Sequence, residues 1–359
     1  MGIMFNTNSK FIQGTFLLLV FLLINMFLIS CFNEDKISQK QPVKIILDTD
    51  MGSDCDDVGT LALLHAYADD DRAEILACIY SSGKVRYGAG IIDAINTYYE
   101  RPNIPIGAYK GFDIGDSVDK MSAEKLAKDT SAFGNDIISN EDAEDQTILS
   151  RKILVAQEDN SVTYITIGHT KGIYDLLISK PDSISSLSGM ELAKKKIKRW
   201  IATGGISQNK DYFNYDWNYS KNGAALYTKY VVENWPNKAY FILGGENVFL
   251  GKNLKDTPPG NIVRTAYRDW LWWWGHKTLD DQRLSGDLFS IYYAVEGLGE
   301  NLTEKEYGWL EVNDSGGTKW HKDQDDTNQV LIIQRKGTDK YFEEYLGKLT
   351  ARSPQKSLK

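Results

Sequence analysis

A strand that runs straight into a block of acid leaves a chain few ways to fold. Residues 44–68 read KIILDTDMGSDCDDVGTLALLHAYA: an apolar run at 44–47, a helical pattern at 58–68, and five aspartates between them. Those five are Asp48, Asp50, Asp54, Asp56 and Asp57. Like charges this close repel one another. The dipole at the start of a helix favours one or two of them, but not five. A divalent cation held by hard oxygen donors makes the block tolerable, which points to calcium or magnesium. The net charge of −8 argues the same way, for a bound cation and against nucleic acid as a partner.

From residue 43 onward, strand-like runs at 43–47, 74–80, 162–167, 199–203 and 238–243 alternate with helical patterns. The helical stretches are 58–68, 87–99, 142–156, 172–178, 223–234 and 288–296. Alternation of this kind implies βαβ units, hence an α/β fold with an open, mostly parallel sheet and helices on both faces. One domain over 43–350 accounts for it. In such sheets ligands bind beyond the carboxyl ends of the strands, so chemistry is expected just after each run. The basic cluster KKKIKR at 194–199 reads as a solvated turn.

The first 30 residues stand apart. Lys10 precedes the apolar run FLLLVFLLINMFLIS at 16–30, short for a membrane span and suited to the core of a signal peptide. LISC at 28–31 resembles a bacterial lipobox. That implies lipidation at Cys31, export, and a membrane anchor joined to the domain by a tether over 31–42. An uncleaved anchor or an ordinary signal peptide are the alternatives. Cleavage would leave Cys55 and Cys78 as remaining thiols, which is no disulfide framework.

Three acidic motifs compete for residues 48–57. An EF-hand loop counted from Asp48 needs an acid at its twelfth position, where Gly59 stands. A haloacid-dehalogenase-type phosphatase shares the D-x-D of Asp48 and Asp50, but not the D-x-D-D that follows here. LDTDMGSDCDD resembles the D-T-D-x-G-x-D-x-D-D signature of nucleoside hydrolases. The resemblance continues in order down the chain. TYITIGHTKGIYDLL at 163–177, WIATGGI at 200–206, DWNYSKNGAA at 216–225 and LSGDLFSIYYAV at 284–295 are each similar to segments of that family.

The resemblance implies the nucleoside hydrolase fold. It also implies a hydrolase cleaving the N-glycosidic bond of ribonucleosides or related N-glycosides with a calcium-bound water. It places Ca2+ on Asp50, Asp57, the backbone carbonyl of Lys171 and Asp287. Asp50 is then the candidate base, Asp54 or Asp56 grips a sugar hydroxyl, and Asp216 with Asn218 faces the ribose. The expected partner is a small-molecule nucleoside or glycoside, and self-association into a homo-oligomer stays open.

The chain departs from that family at several positions. Lys84 stands in place of an asparagine, an amide replaced by a donor-only cation. It pairs with the extra acids, binds an anionic group or crowds the ribose if it enters the site; otherwise it is a surface lysine. Lys171 and Gly172 replace a threonine and an asparagine, and Gly286 replaces the histidine expected to serve the departing base. Of the four histidines, His65 reads as packing, and His169, next to the strand-end Gly168, is the catalytic candidate. The tryptophans of WLWWWGHK at 270–277 follow no single helical face, so some of them suit an aromatic wall. The competing reading is a lipoprotein that binds a sugar or nucleoside through calcium without turning it over.

Overall fold

Side chains on a strand alternate between its two faces, and the first strand does this with apolar groups on both sides. In β1 (Val43–Thr49), Ile45 and Leu47 enter one core and Ile46 the other. A strand buried on both faces belongs in the middle of a parallel sheet. The computed structural model describes residues 41–207, 211–221, 223–299 and 302–355. The expected signal peptide, Cys31 and nearly all of the tether lie outside the described residues.

The elements follow in chain order. After β1 come α1 (Asp56–Asp69), β2 (Ala73–Tyr80), α2 (Gly88–Tyr98), β3 (Ile106–Ala108), β4 (Glu144–Asp145), α3 (Gln146–Ala156) and β5 (Val162–Thr166). Then come α4 (Lys171–Ile178), α5 (Gly189–Lys196), β6 (Ile197–Thr203), α6 (Ala225–Asn234) and β7 (Lys238–Leu243). The short β8 (Phe249–Leu250) and β9 (Arg283–Leu284) flank α7 (Ile262–Gly275). The chain closes with α8 (Leu288–Glu296), β10 (Leu302–Val312), β11 (Thr318–Lys322), β12 (Gln329–Gln334) and α9 (Asp339–Thr350).

The main sheet has the order β11-β10-β12-β7-β6-β5-β1-β2-β3-β4. Its pairings are parallel from β12 to β4, and β10 is antiparallel to both its neighbours. Residues of α1, α2, α7, α8 and α9 fill the core on one face, and those of α3, α4, α5 and α6 fill the other. This is the open, mostly parallel α/β sheet that the alternation implies. The described residues from Pro42 onward form one compact unit, and no helix among them is long and apolar enough to cross a membrane.

Two local readings change. The cluster at 194–199 is no turn: Lys194, Lys195 and Lys196 close α5, and the rest of it opens β6. Ser188 and Glu191 start that helix with a reciprocal capping box, and three lysines in its last turn suit the negative end of its dipole. The antiparallel β10 and its partners were not anticipated. Asp48 pairs with Thr166 and Thr166 with Ala202, so the carboxyl ends of β1, β5 and β6 lie level with one another.

Candidate active site

The loop after β1 is shaped by a glycine. Gly52 has φ +113°, and a Cβ there would lie 2.8 Å from a methyl of Val85. Only glycine meets both conditions without strain. The turn delivers Asp50 at the strand end and Asp56 and Asp57 in the first turn of α1, all nearly inaccessible to solvent. Thr49 donates its hydroxyl to Asp57 and accepts the N–H of Met51 at 3.1 Å, fixing the loop from below. The indole of Trp270 donates to the carbonyl of Ser53 at 3.2 Å, which ties α7 to the same loop.

Asp287 completes the acidic floor. It occupies the N-cap position of α8, yet its side chain makes no capping hydrogen bond. Carboxylate oxygens of Asp56, Asp57 and Asp287 all lie within 4.8 Å of one another. Burial holds the carboxyls of Asp50, Asp56, Asp57 and Asp287 above the usual carboxylate range, and their mutual repulsion adds to it. Among the described residues no lysine or arginine forms an ion pair with any of these four. Buried anions without a counter-charge are costly unless a cation joins them. The donor set is hard oxygen throughout and fits a hard divalent cation.

Above this floor opens a cavity of about 580 Å³. Asp216 and Asn218, around the short helical turn Trp217–Ser220, form one side. Trp217, Trp270, Trp273 and Trp274 form much of the rest. Burial raises the carboxyl of Asp216, while backbone N–H groups, that of Asn218 at 2.9 Å among them, stabilise its charged form. A separate hollow of about 460 Å³ beyond β7 and β12 holds no comparable group of buried acids.

No protein-family model matches the chain, and no curated protein matches it in sequence. Solved structures match it in shape. The type III effector protein XopQ, solved in complex with adenosine diphosphate ribose, superposes with TM-score 0.61 at 11% identity, over 88% of this chain and 95% of that one. The inosine-uridine preferring nucleoside hydrolase of Bacillus anthracis gives 0.59 at 12%, over 86% and 99%. The purine-preferring ribonucleoside hydrolase of Gardnerella vaginalis gives 0.59 at 15%, over 86% and 99%. The chain has the nucleoside hydrolase fold.

On that fold the expected residues separate. Asp50, Asp54, Asp56, Asp57, Asp216, Asn218 and Asp287 all line the one cavity. Asp54, however, is engaged by Arg283, with Nη2 2.6 Å from Oδ2 and Nε 3.1 Å from Oδ1. Of the pair Asp54 and Asp56, Asp56 is therefore the one grouped with Asp57 and Asp287. Asn218 spends one N–H on the carbonyl of Ile167 at 3.0 Å. His169 is fully buried behind Asp50 and does not line the cavity; its Nε2 lies 3.8 Å from Oδ2 of Asp50.

Two expected lysines do not line the cavity. Lys84, in the loop after β2, is absent from its wall. The ammonium of Lys171 binds Asp175 at 2.5 Å and sits 4.5 Å and 4.6 Å from the ring centres of Tyr109 and Tyr227. A role for Lys171 thus falls to its backbone. His65 bonds Asn96 at 2.9 Å and stacks on Tyr99, as packing requires. His276 meets Trp272 outside the cavity, and His321 on β11 pairs with Glu311 on β10.

Lys120, Trp217 and Arg283 are among the lining residues that the sequence did not single out. Trp217 stands between the flagged Asp216 and Asn218, and Arg283 shortly precedes Asp287. Both were within reach of the motifs. Lys120 lies in a loop with no periodicity and no motif.

Proposed function

We propose that this chain is a hydrolase of the N-glycosidic bond in ribonucleosides or related N-glycosides, working with one bound calcium ion. The observation that carries the reading is the cavity itself. Its floor is a group of largely buried carboxylates with no lysine or arginine ion-paired to it among the described residues, an acid and an amide two residues apart stand beside it, and tryptophans close it. Asp57 and Asp287, with Asp50, Asp56 and the carbonyl of Lys171, are the oxygens that would hold the ion. When bound, the ion lowers the pKa of a water and anchors adjacent hydroxyls.

The remaining chemistry belongs to the side chains. An Oδ of Asp50 takes the proton of the attacking water. Asp216 accepts a hydrogen bond from one ribose hydroxyl, and Asn218, with one N–H and its Oδ1 still to spend, serves a neighbour. The carboxylates stabilise the positive charge that grows on the sugar as the bond to the base breaks. Tryptophan faces suit a flat base and exclude water from it.

A second reading is calcium-dependent binding of a nucleoside or glycoside without turnover. Gly286 favours it, since the wall of the cavity at that point bears no side chain to serve a departing base. Reducing-sugar release from purine, pyrimidine and nicotinamide ribosides, with and without a chelator, decides between the two. Chelator-sensitive release is expected. Tight binding with no release selects the binding protein.

The apolar run ending at Cys31 supports export and lipid anchoring to a bacterial membrane as part of this proposal. Labelling with a fatty-acid analogue that is lost in Cys31→Ala tests it.

A further inference from the structure

The wall of the cavity carries a group whose charge is opposite to that of its floor. That group belongs to Lys120. This residue is tied to the acidic loop through its backbone, whose N–H donates to the carbonyl of Gly52 at 3.1 Å. Its ammonium is ion-paired with Asp116, and the carboxylate of Asp116 is oriented in turn by the N–H of Val118 at 3.1 Å. The same ammonium lies 5.0 Å from the ring centre of Trp273 and 5.5 Å from that of Trp217. The side chain is 16% exposed.

An ammonium has three N–H donors and no acceptor. Among the described residues Asp116 is the hydrogen-bond acceptor that Lys120 Nζ meets. The site therefore holds a cation fixed by two rings and a carboxylate, largely withdrawn from water, with donors to spare. At Gly286 the wall is bare: a Cβ there meets nothing closer than 3.7 Å. Trp274 stacks one face on Trp270 at 5.2 Å and is itself 56% exposed, which leaves its other face for a flat ring.

On the hydrolase reading above, we infer that Lys120 is the leaving-group contact of this site and selects N-glycosides whose departing heterocycle carries a carbonyl or carboxylate oxygen. In the step, the water oxygen bonds to the anomeric carbon and the carbon–nitrogen bond breaks. Its electron pair passes to the heterocycle, where the charge spreads onto that exocyclic oxygen. A hydrogen bond from Lys120 Nζ strengthens as the charge grows. The proton given up by water to Asp50 ends on the released base, and Lys120 stays an ammonium throughout. A heterocycle that offers an amino group at that edge leaves both donors unmatched and reacts more slowly.

The test compares uridine and inosine with 4-nitrophenyl riboside, whose leaving group departs with little help, using the full chain with calcium. In Lys120→Met the ratio of kcat/KM for the nucleosides to that for the nitrophenyl riboside falls by about 100-fold. Lys120→Arg, which keeps a donor-only cation, recovers part of that ratio. In the wild type, inosine outpaces adenosine. If Lys120→Met melts below the assay temperature, Lys120→Gln is read in its place. An unchanged ratio in a folded variant overturns the inference and leaves the hydrolase reading intact. No release from any of these substrates by the wild-type chain overturns both.

Discussion

The Nε2 of His169 stands 3.8 Å from Oδ2 of Asp50, while its Nδ1 faces the carbonyl oxygen of Asn218 at 3.1 Å. One buried ring thus links the acidic loop to the segment that carries Asp216 and Asn218. It touches the proposed base, not the space a substrate would fill. We predict a positioning role. His169→Ala lowers kcat by about 10-fold with KM nearly unchanged, while Asp50→Asn lowers it by at least about 100-fold, or about 2.7 kcal/mol. Steady-state kinetics on both variants check this. An equal loss in the two would mean that the imidazole moves a proton itself.

On the proposed calcium site, removing the ion should loosen the fold as well as silence the site, because the four carboxylates then face one another with no lysine or arginine ion-paired to them among the described residues. A ligand present at a hundredfold excess over its dissociation constant contributes about 2.7 kcal/mol to stability. Thermal melting with and without a chelator is expected to show that loss and its recovery on adding calcium. Asp287→Ala should abolish the difference. A melting curve indifferent to chelator would remove the ion from the account of this cavity.

How much of this could be read in advance depended on how local the signal was. The strand, loop and helix from Val43 to Asp69 lie within one stretch of chain, and their apolar and acidic patterns are unmixed. β10 escaped because its residues, LTEKEYGWLEV, interleave charge with aromatics, the mark of a half-solvated strand at a sheet margin. The N-cap position of Asp287 was legible, but its grouping with Asp56 and Asp57 was not, since that is set by the packing of α8 beside α1. Lys120 was out of reach for the same reason. It meets Gly52 through one backbone hydrogen bond between loops far apart in sequence.

Gly172 and Gly286 both depart from the resembled family, and the structure gives them opposite characters. A Cβ on Gly172 would fall 2.3 Å from Oδ2 of Asp48, a buried carboxylate already accepting from Tyr164 at 2.9 Å. Gly172 therefore packs against Asp48 and is no lost substrate contact. Alanine would by helix propensity gain about 1 kcal/mol in α4. Overpacking against a held carboxylate costs about 1–3 kcal/mol and prevails. We expect Gly172→Ala to melt lower than the wild type and Gly286→Ala to melt within about 0.5 kcal/mol of it. Stabilisation by Gly172→Ala would show that Asp48 can move aside.

Acid should destabilise the fold through one buried imidazole. His65 lies against Asn96, Tyr99 and Arg101, and burial, with help from the arginine, lowers its pKa from 6.5 to about 3. Between those values the unfolded chain binds a proton that the folded chain refuses, so stability rises with pH. The contribution is complete above about pH 6.5 and is lost as the pH falls toward 3. The slope is about 1.4 kcal/mol per pH unit once the unfolded imidazole is charged, which amounts to about 2 kcal/mol between pH 7 and pH 5. His65→Gln keeps a donor for Asn96 and cannot titrate. Denaturant unfolding of both chains at pH 7 and pH 5, with calcium fixed, should show the wild type losing about 2 kcal/mol more than the variant. Parallel losses would assign the acid sensitivity to other groups.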